Sequence, residues 1–165
     1  EKLIIKHKLT VEIANDNSPQ QIVISGIKSD LLNSEKIFRE GGAKKFILLN
    51  VSAAFHSFIM HEAEKKMKEL ILNTDFKESH ISIISNYTGE MSNNKNIILQ
   101  NLTKQMSNRV RWVESINCLK GANEKNIIEI GPGKVLSGLI RRIDNTFDIK
   151  NIDKITDIEK IKNEL

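Results

Sequence analysis

Cysteine is nearly missing from this chain: Cys118 stands alone among 165 residues. A single thiol excludes internal disulfides and cysteine-based metal clusters, and it fits a reducing compartment. Aromatic residues are scarce too. One Tyr and one Trp leave little for nucleobases to stack on, and no basic run interleaves with them, so nucleic acid is not an expected partner. No apolar run approaches the roughly 20 residues of a membrane span, so no membrane insertion is expected. Proline occurs twice, and no Pro-rich or low-complexity linker divides the chain. The first residues carry neither a signal-peptide core nor an initiator methionine, so the chain is expected to be cytoplasmic and to begin within a longer protein.

What is present describes an ordinary globular domain. Hydrophobic residues make up 39% and charged residues 28% of the chain, well away from the composition of disorder. The formal charge of +4 is mild and spread through amphipathic patterns. The length suits one cored domain, or one domain with a small lobe.

Hydrophobic periodicity alternates between the two regular structures. Leu9, Val11 and Ile13 alternate as a strand, which the turn formers from Asn15 to Pro19 should end. Ile22, Val23 and Ile24 resume it. Ser29 and Asp30 can cap a helix bearing Leu31, Ile37 and Phe38, with Gly41-Gly42 closing it in a left-handed C-cap. Residues 46–51 read as the next strand. Ile59, Met60, Ala63, Met67, Leu70 and Ile71 have helical spacing, with Glu62/Lys66 and Glu64/Lys68 as i,i+4 pairs on an exposed face. A strand over 81–85, a helix over 94–106 and another on Trp112, Val113, Ile116 and Leu119 follow. Ile127 to Ile130 reads as a short buried strand, turning at Gly131-Pro132-Gly133 into a helix striped by Val135, Leu136, Leu139, Ile140 and Ile143. Residues 149–165 carry apolar positions every third residue and predict a helix, with Asp157 and Glu159 near its start. The alternation predicts an α/β architecture with parallel strands in the later half.

Four histidines are candidates for chemistry. His7, His61 and His80 lie in polar surroundings and read as surface residues. No pair has the i,i+4 spacing of a helical zinc motif, and neither a metal nor another cofactor is expected. His56 differs because it occupies the turn between a strand and a helix, where a scaffold presents reactive groups. A lone histidine there also serves as a cap or a packed side chain, and the pattern by itself leaves both readings open. The chain has no G-x-S-x-G elbow. Ser18 lies in a turn and Ser137 within a helical stripe, so a base at His56 requires a serine from elsewhere. Gly131-Pro132-Gly133-Lys134 lacks the spacing and ending of a P-loop. It reads as a sharp strand-to-helix turn, with anion binding at the helix start as the minor alternative.

Four blocks, taken in order, resemble the malonyl-CoA:acyl-carrier-protein transacylases. They are the stretch from Asn17-Ser18-Pro19 to Ser25-Gly26, Val51-Ser52-Ala53-Ala54-Phe55-His56-Ser57, Gln105-Met106-Ser107-Asn108-Arg109-Val110-Arg111-Trp112, and Glu129-Ile130-Gly131-Pro132-Gly133-Lys134-Val135-Leu136. The resemblance corresponds to roughly the C-terminal half of that family's enzyme. It implies part of an α/β-hydrolase-like large lobe over 51–165, and the latter part of an inserted ferredoxin-like small lobe over 1–50. It also implies malonyl transfer from coenzyme A to the phosphopantetheine thiol of acyl carrier protein, by a serine-histidine acyl-enzyme. The polyketide synthase acyltransferases share these blocks, and a non-catalytic fragment that binds the carrier protein is the alternative outside catalysis.

By position, His56 would be the base and the main-chain carbonyl of Gln105 would orient it. Phe55 would crowd α-branched acyl groups. Arg109 and Arg111 are not assigned to the family's carboxylate-binding arginine or its oxyanion hole. Ala54 and Arg109 stand where the family commonly has proline. The partners implied are malonyl-CoA and acyl carrier protein. With half a lobe uncovered, the chain is also expected to be inactive alone and to self-associate.

Overall fold

A computed structural model describes residues 1–162. The chain opens with a one-and-a-half-turn helix, α1 (Lys2–His7), closed by Lys8 in the left-handed conformation. An antiparallel hairpin follows, β1 (Val11–Ser18) with β2 (Gln21–Gly26), in the register Val11↔Gly26 and Ile13↔Ile24. The turn formers Asn15, Asp16 and Asn17 do not end β1. They remain in the strand, Asn15 and Asp16 paired with Val23 and Ile22 and Asn17 passed over at the second of two register shifts, because the second edge of β1 is also occupied. The Val110 N–H donates to the Ala14 oxygen at 2.8 Å and the Asp16 N–H to the Val110 oxygen at 3.0 Å. With both sides hydrogen-bonded, the polar run is held extended against its turn preference. The chain reverses only at Pro19-Gln20.

Helix α2 (Lys28–Glu40) begins one residue before the expected cap. Ile27 is the N-cap without a side-chain bond, while Ser29 and Asp30 fall in the first turn. Asp30 there accepts from the hydroxyls of Thr10 and Ser29. At the other end Gly41 keeps φ −78° and Gly42 takes the left-handed position at φ +102°.

Residues 46–51 are not a strand. Ile47 and Leu49 are 71% and 53% exposed, and no strand among the described residues lies beside them. An apolar run forms a strand only against a neighbour that takes up its backbone groups.

A 3-10 turn (Phe58–Met60) leads into α3 (His61–Leu72). The expected faces of α3 are inverted in part: Glu64 is buried, whereas Met67 and Leu70 are exposed. Glu62 pairs with Lys65 at 2.6 Å, so neither expected i,i+4 pair forms. A minimal hairpin joins β3 (Ile83–Ile84) to β4 (Met91–Ser92), shorter than the strand expected over 81–85. Helix α4 (Lys95–Lys104) is capped by the Asn94 side chain, which accepts from the Asn96 and Ile97 N–H groups.

The later half forms one βαβ unit. Helix α5 (Trp112–Gly121) precedes β5 (Asn126–Ile130), α6 (Val135–Ile143) and β6 (Asp148–Ile152), with β5 and β6 parallel in the register Ile127↔Ile149. Residues 148–152 are therefore strand and not the first turn of the expected terminal helix. α7 (Ile155–Lys162) starts later, with Asp157 accepting from the Asp153 and Lys154 N–H groups. The rest of that expected helix, residues 163–165, lies outside the described residues.

Ile116, Ile140 and Phe147 form the buried core, with Trp112, Leu119, Ile127, Ile143 and Ile149 packed around it. β5 is not buried on both faces as expected. It alternates, with Ile127 and Glu129 turned inward and Ile128 and Ile130 exposed. Within the α6 stripe Leu139 and Ile140 are buried, while Val135 and Leu136 are exposed.

Candidate active site

The loop that leads into the 3-10 turn places His56 at φ +61°, in the left-handed region. Non-glycine residues adopt that conformation when neighbouring bonds enforce it. Here they do. The His56 N–H donates to the Met106 oxygen at 3.0 Å, and the hydroxyl of the fully buried Ser57 donates to the Ala54 oxygen at 2.7 Å. The Phe58 N–H donates to the Glu12 carboxylate of β1 at 2.7 Å. The loop is tied to the hairpin on one side and to the end of α4 on the other.

The imidazole faces that second anchor. Its Nδ1 lies 3.1 Å from the Gln105 oxygen and 3.0 Å from the Asn108 oxygen. Carbonyl oxygens only accept, so Nδ1 carries the proton and donates to both. Nε2 is then the ring's unprotonated nitrogen, able to accept a proton. Among the described residues it has no hydrogen-bond partner. The half-buried imidazole is thus oriented by main-chain oxygens, and among the described residues no carboxylate touches the ring.

Of the residues singled out in the sequence, His56 and Gln105 come together as implied, through the Gln105 main chain. The Gln105 side-chain Nε2 is buried without a partner. Phe55 precedes His56 and is about half exposed. His7, His61 and His80 are exposed. Among the described residues no group of three His, Cys, Asp or Glu could hold a metal ion. No helix among them is long and apolar enough to cross a membrane.

Three features were not legible beforehand. Asn108 contributes its main-chain oxygen to His56, which no side-chain pattern reports. Glu12 looked like one polar position of an alternating strand. Glu64 looked like half of a surface ion pair, yet it accepts from the Ser107 N–H and hydroxyl at 3.0 and 2.5 Å.

Arg109 and Arg111 have structural partners. Both reach Glu114, at 3.5 and 2.8 Å, and Arg111 Nε also donates to the Tyr87 oxygen. Burial pushes the Asp16 carboxyl up, against the opposing pull of Arg109.

The glycine turn after β5 is closed to anions at its helix. Gly131 and Gly133 sit at φ +138° and +85°, so the chain can fold back sharply. The Glu129 carboxylate accepts from the Leu136 and Ser137 N–H groups, each at 2.9 Å, and from the Ser137 hydroxyl. Asn151 of β6 adds a further donor at 2.9 Å. These bonds, the Ser137 hydroxyl foremost, hold the Glu129 carboxyl below the usual range. The chain's own carboxylate takes the place at the start of α6 that a bound anion would otherwise fill.

No family model matches the chain. Among curated proteins, it is 41% identical over 133 residues to a malonyl CoA-acyl carrier protein transacylase of Bacillus subtilis, covering 81% of this chain and 42% of that protein. It is 42% identical over 142 residues to a polyketide biosynthesis protein of the same organism, covering 85% of this chain and 18% of that one. Among solved structures, the transacylase of Streptococcus pneumoniae superposes with a TM-score of 0.92 at 33% identity, over 100% of this chain and 54% of its own. The fold is therefore α/β, with part of an α/β-hydrolase-like lobe and part of a ferredoxin-like small lobe. The chain spans about half the length of the transacylases it matches, and it belongs to the malonyl CoA-acyl carrier protein transacylase family.

Proposed function

We propose that this chain supplies the base for malonyl transfer from coenzyme A to the phosphopantetheine thiol of acyl carrier protein, in the cytoplasm, as a step of fatty-acid synthesis. The observation that carries the reading is the Nδ1 of His56 on the Gln105 and Asn108 oxygens, which leaves Nε2 as the proton acceptor. His56 takes the hydroxyl proton of a serine supplied from outside this sequence as that oxygen attacks the malonyl thioester. The imidazolium then returns the proton to the departing coenzyme A thiolate, leaving a malonyl ester on the serine. In the second half-reaction Nε2 takes the proton of the incoming phosphopantetheine thiol, whose sulfur attacks the ester. The proton goes back to the serine, and the base is restored. Residues 1–50 are assigned to the small lobe and 51–165 to the large one.

The similarity to a polyketide biosynthesis protein, at 42% identity, favours a second reading in which the same transfer loads a polyketide carrier protein. Transfer of radiolabelled malonyl groups to the two kinds of carrier distinguishes them. In the protein as the cell makes it, His56→Ala lowers acyl-enzyme formation from malonyl-CoA by about 10²–10⁴-fold. Acylation at the wild-type rate in that variant refutes the assignment.

A further inference from the structure

We infer that Glu64 is a positioning residue for His56, acting through the turn at 105–108. The inference rests on the proposed role of His56 as a base. The turn lies beyond the end of α4 and belongs to no ladder, so regular structure does not set the direction of its carbonyls. Three of its four residues bind His56. Gln105 and Asn108 give oxygens to Nδ1, and Met106 gives its oxygen to the His56 N–H. The fourth, Ser107, points the other way. Its N–H and hydroxyl both donate to one carboxylate oxygen of Glu64, at 3.0 and 2.5 Å.

Glu64 is the buried polar residue of α3, and no ion pair with a lysine is formed there among the described residues. A carboxylate taken out of water is costly unless hydrogen bonds compensate it, and here the donors come from Ser107. The Ser107 N–H shares its peptide plane with the Met106 carbonyl, so holding it on Glu64 aims the Met106 oxygen, which takes the His56 N–H. Asn108 is then locked by its side-chain amide, which donates to the Lys104 oxygen at 2.8 Å and to the Ser107 hydroxyl at 3.2 Å. The chain of contacts to the ring runs from Glu64 to the Ser107 hydroxyl, to the Asn108 side chain, and through the Asn108 oxygen to Nδ1. Its product is a single tautomer of His56.

The test reads that tautomer directly. The protein as the cell makes it, labelled with ¹⁵N-histidine, is examined by long-range ¹H–¹⁵N NMR, with His56→Gln assigning the resonance. The wild type shows a protonated Nδ1 and an unprotonated Nε2. Glu64→Ala gives mixed tautomers and loss of the Nδ1–H signal, and Glu64→Gln, whose amide oxygen still accepts from Ser107, restores the wild-type pattern. A wild-type tautomer in Glu64→Ala overturns the inference. If Glu64→Ala does not fold, Ser107→Ala decides. It removes one of the two donors and should speed Nδ1–H exchange at least about threefold, and unchanged exchange overturns the inference. The readout is independent of catalysis. Full activity of His56→Ala beside a tautomer lost in Glu64→Ala defeats the base and keeps the positioning, and the converse pair of results does the opposite.

Discussion

The His56 ring and the Gln105 main-chain oxygen are 49 positions apart in sequence and 3.1 Å apart in space. The contact makes the end of α4 the orienting group of the site, in the place where a carboxylate often sits. Because the acceptor is main chain, the site depends on the path of the turn and only weakly on the identity of residue 105.

Substituting Gln105 should therefore change little. Its Nε2 is buried and unpartnered, and such a donor costs about 1–3 kcal/mol in desolvation. Gln105→Met keeps the shape and removes that donor. Urea unfolding should show equal or higher stability, and malonyl transfer should stay within about threefold of wild type. A loss of transfer comparable to that of His56→Ala would show that the amide takes part.

Phe55 stands beside His56 and is about half exposed, where in the proposed reaction it would crowd a substituent on the α-carbon of the acyl group. Phe55→Ala should raise the kcat/KM ratio of methylmalonyl-CoA to malonyl-CoA by about tenfold, the usual effect of one methyl group in an apolar site. An unchanged ratio removes Phe55 from acyl selection.

Glu129 links β5, α6 and β6 through four hydrogen bonds that its carboxylate accepts. Glu129→Ala should cost about 2 kcal/mol at neutral pH, in the range for bonds to a charged group. Its folded-state carboxyl lies below the ordinary range, so the unfolded chain binds the proton more readily. The stabilisation is full above about pH 4.3, the ordinary glutamate value, and is lost as pH falls through the depressed folded value. Unfolding followed from pH 7 to pH 3 should show the gap between wild type and variant narrowing. A constant gap would show that Glu129 acts by packing alone.

Ile47, Val51, Ile130 and Val135 are each between 64% and 78% exposed. With so much apolar surface in water, the 18.8 kDa chain should self-associate at micromolar concentration. Light scattering that finds one monodisperse monomer would contradict this.

Where the sequence led and where it misled follows from the range of the forces involved. The 3.6-residue period of Trp112, Ile116 and Leu119, and the helical run expected over 94–106 and found as Lys95–Lys104, depend on neighbours within a turn or two. Those elements stand as read. The four ordered blocks were enough to identify the family, because motif order is a property of the chain itself. Residues 46–51 look like a strand but have no neighbour to pair with among the described residues. Asn15 to Asn17 look like a turn but are held extended by Val110, nearly a hundred positions away. In both, pairing across the fold outweighs local preference.

The sequence alone determined the α/β class, most helices, and His56 as the histidine to examine. Tertiary structure alone decided which ring nitrogen carries the proton, that Asn108 shares it with Gln105, and that Glu64 faces inward to Ser107. Those facts rest on main-chain oxygens and on burial. A carbonyl is the same in every residue, so no pattern of side chains reports where it points, and burial exists only once the chain has folded around the group.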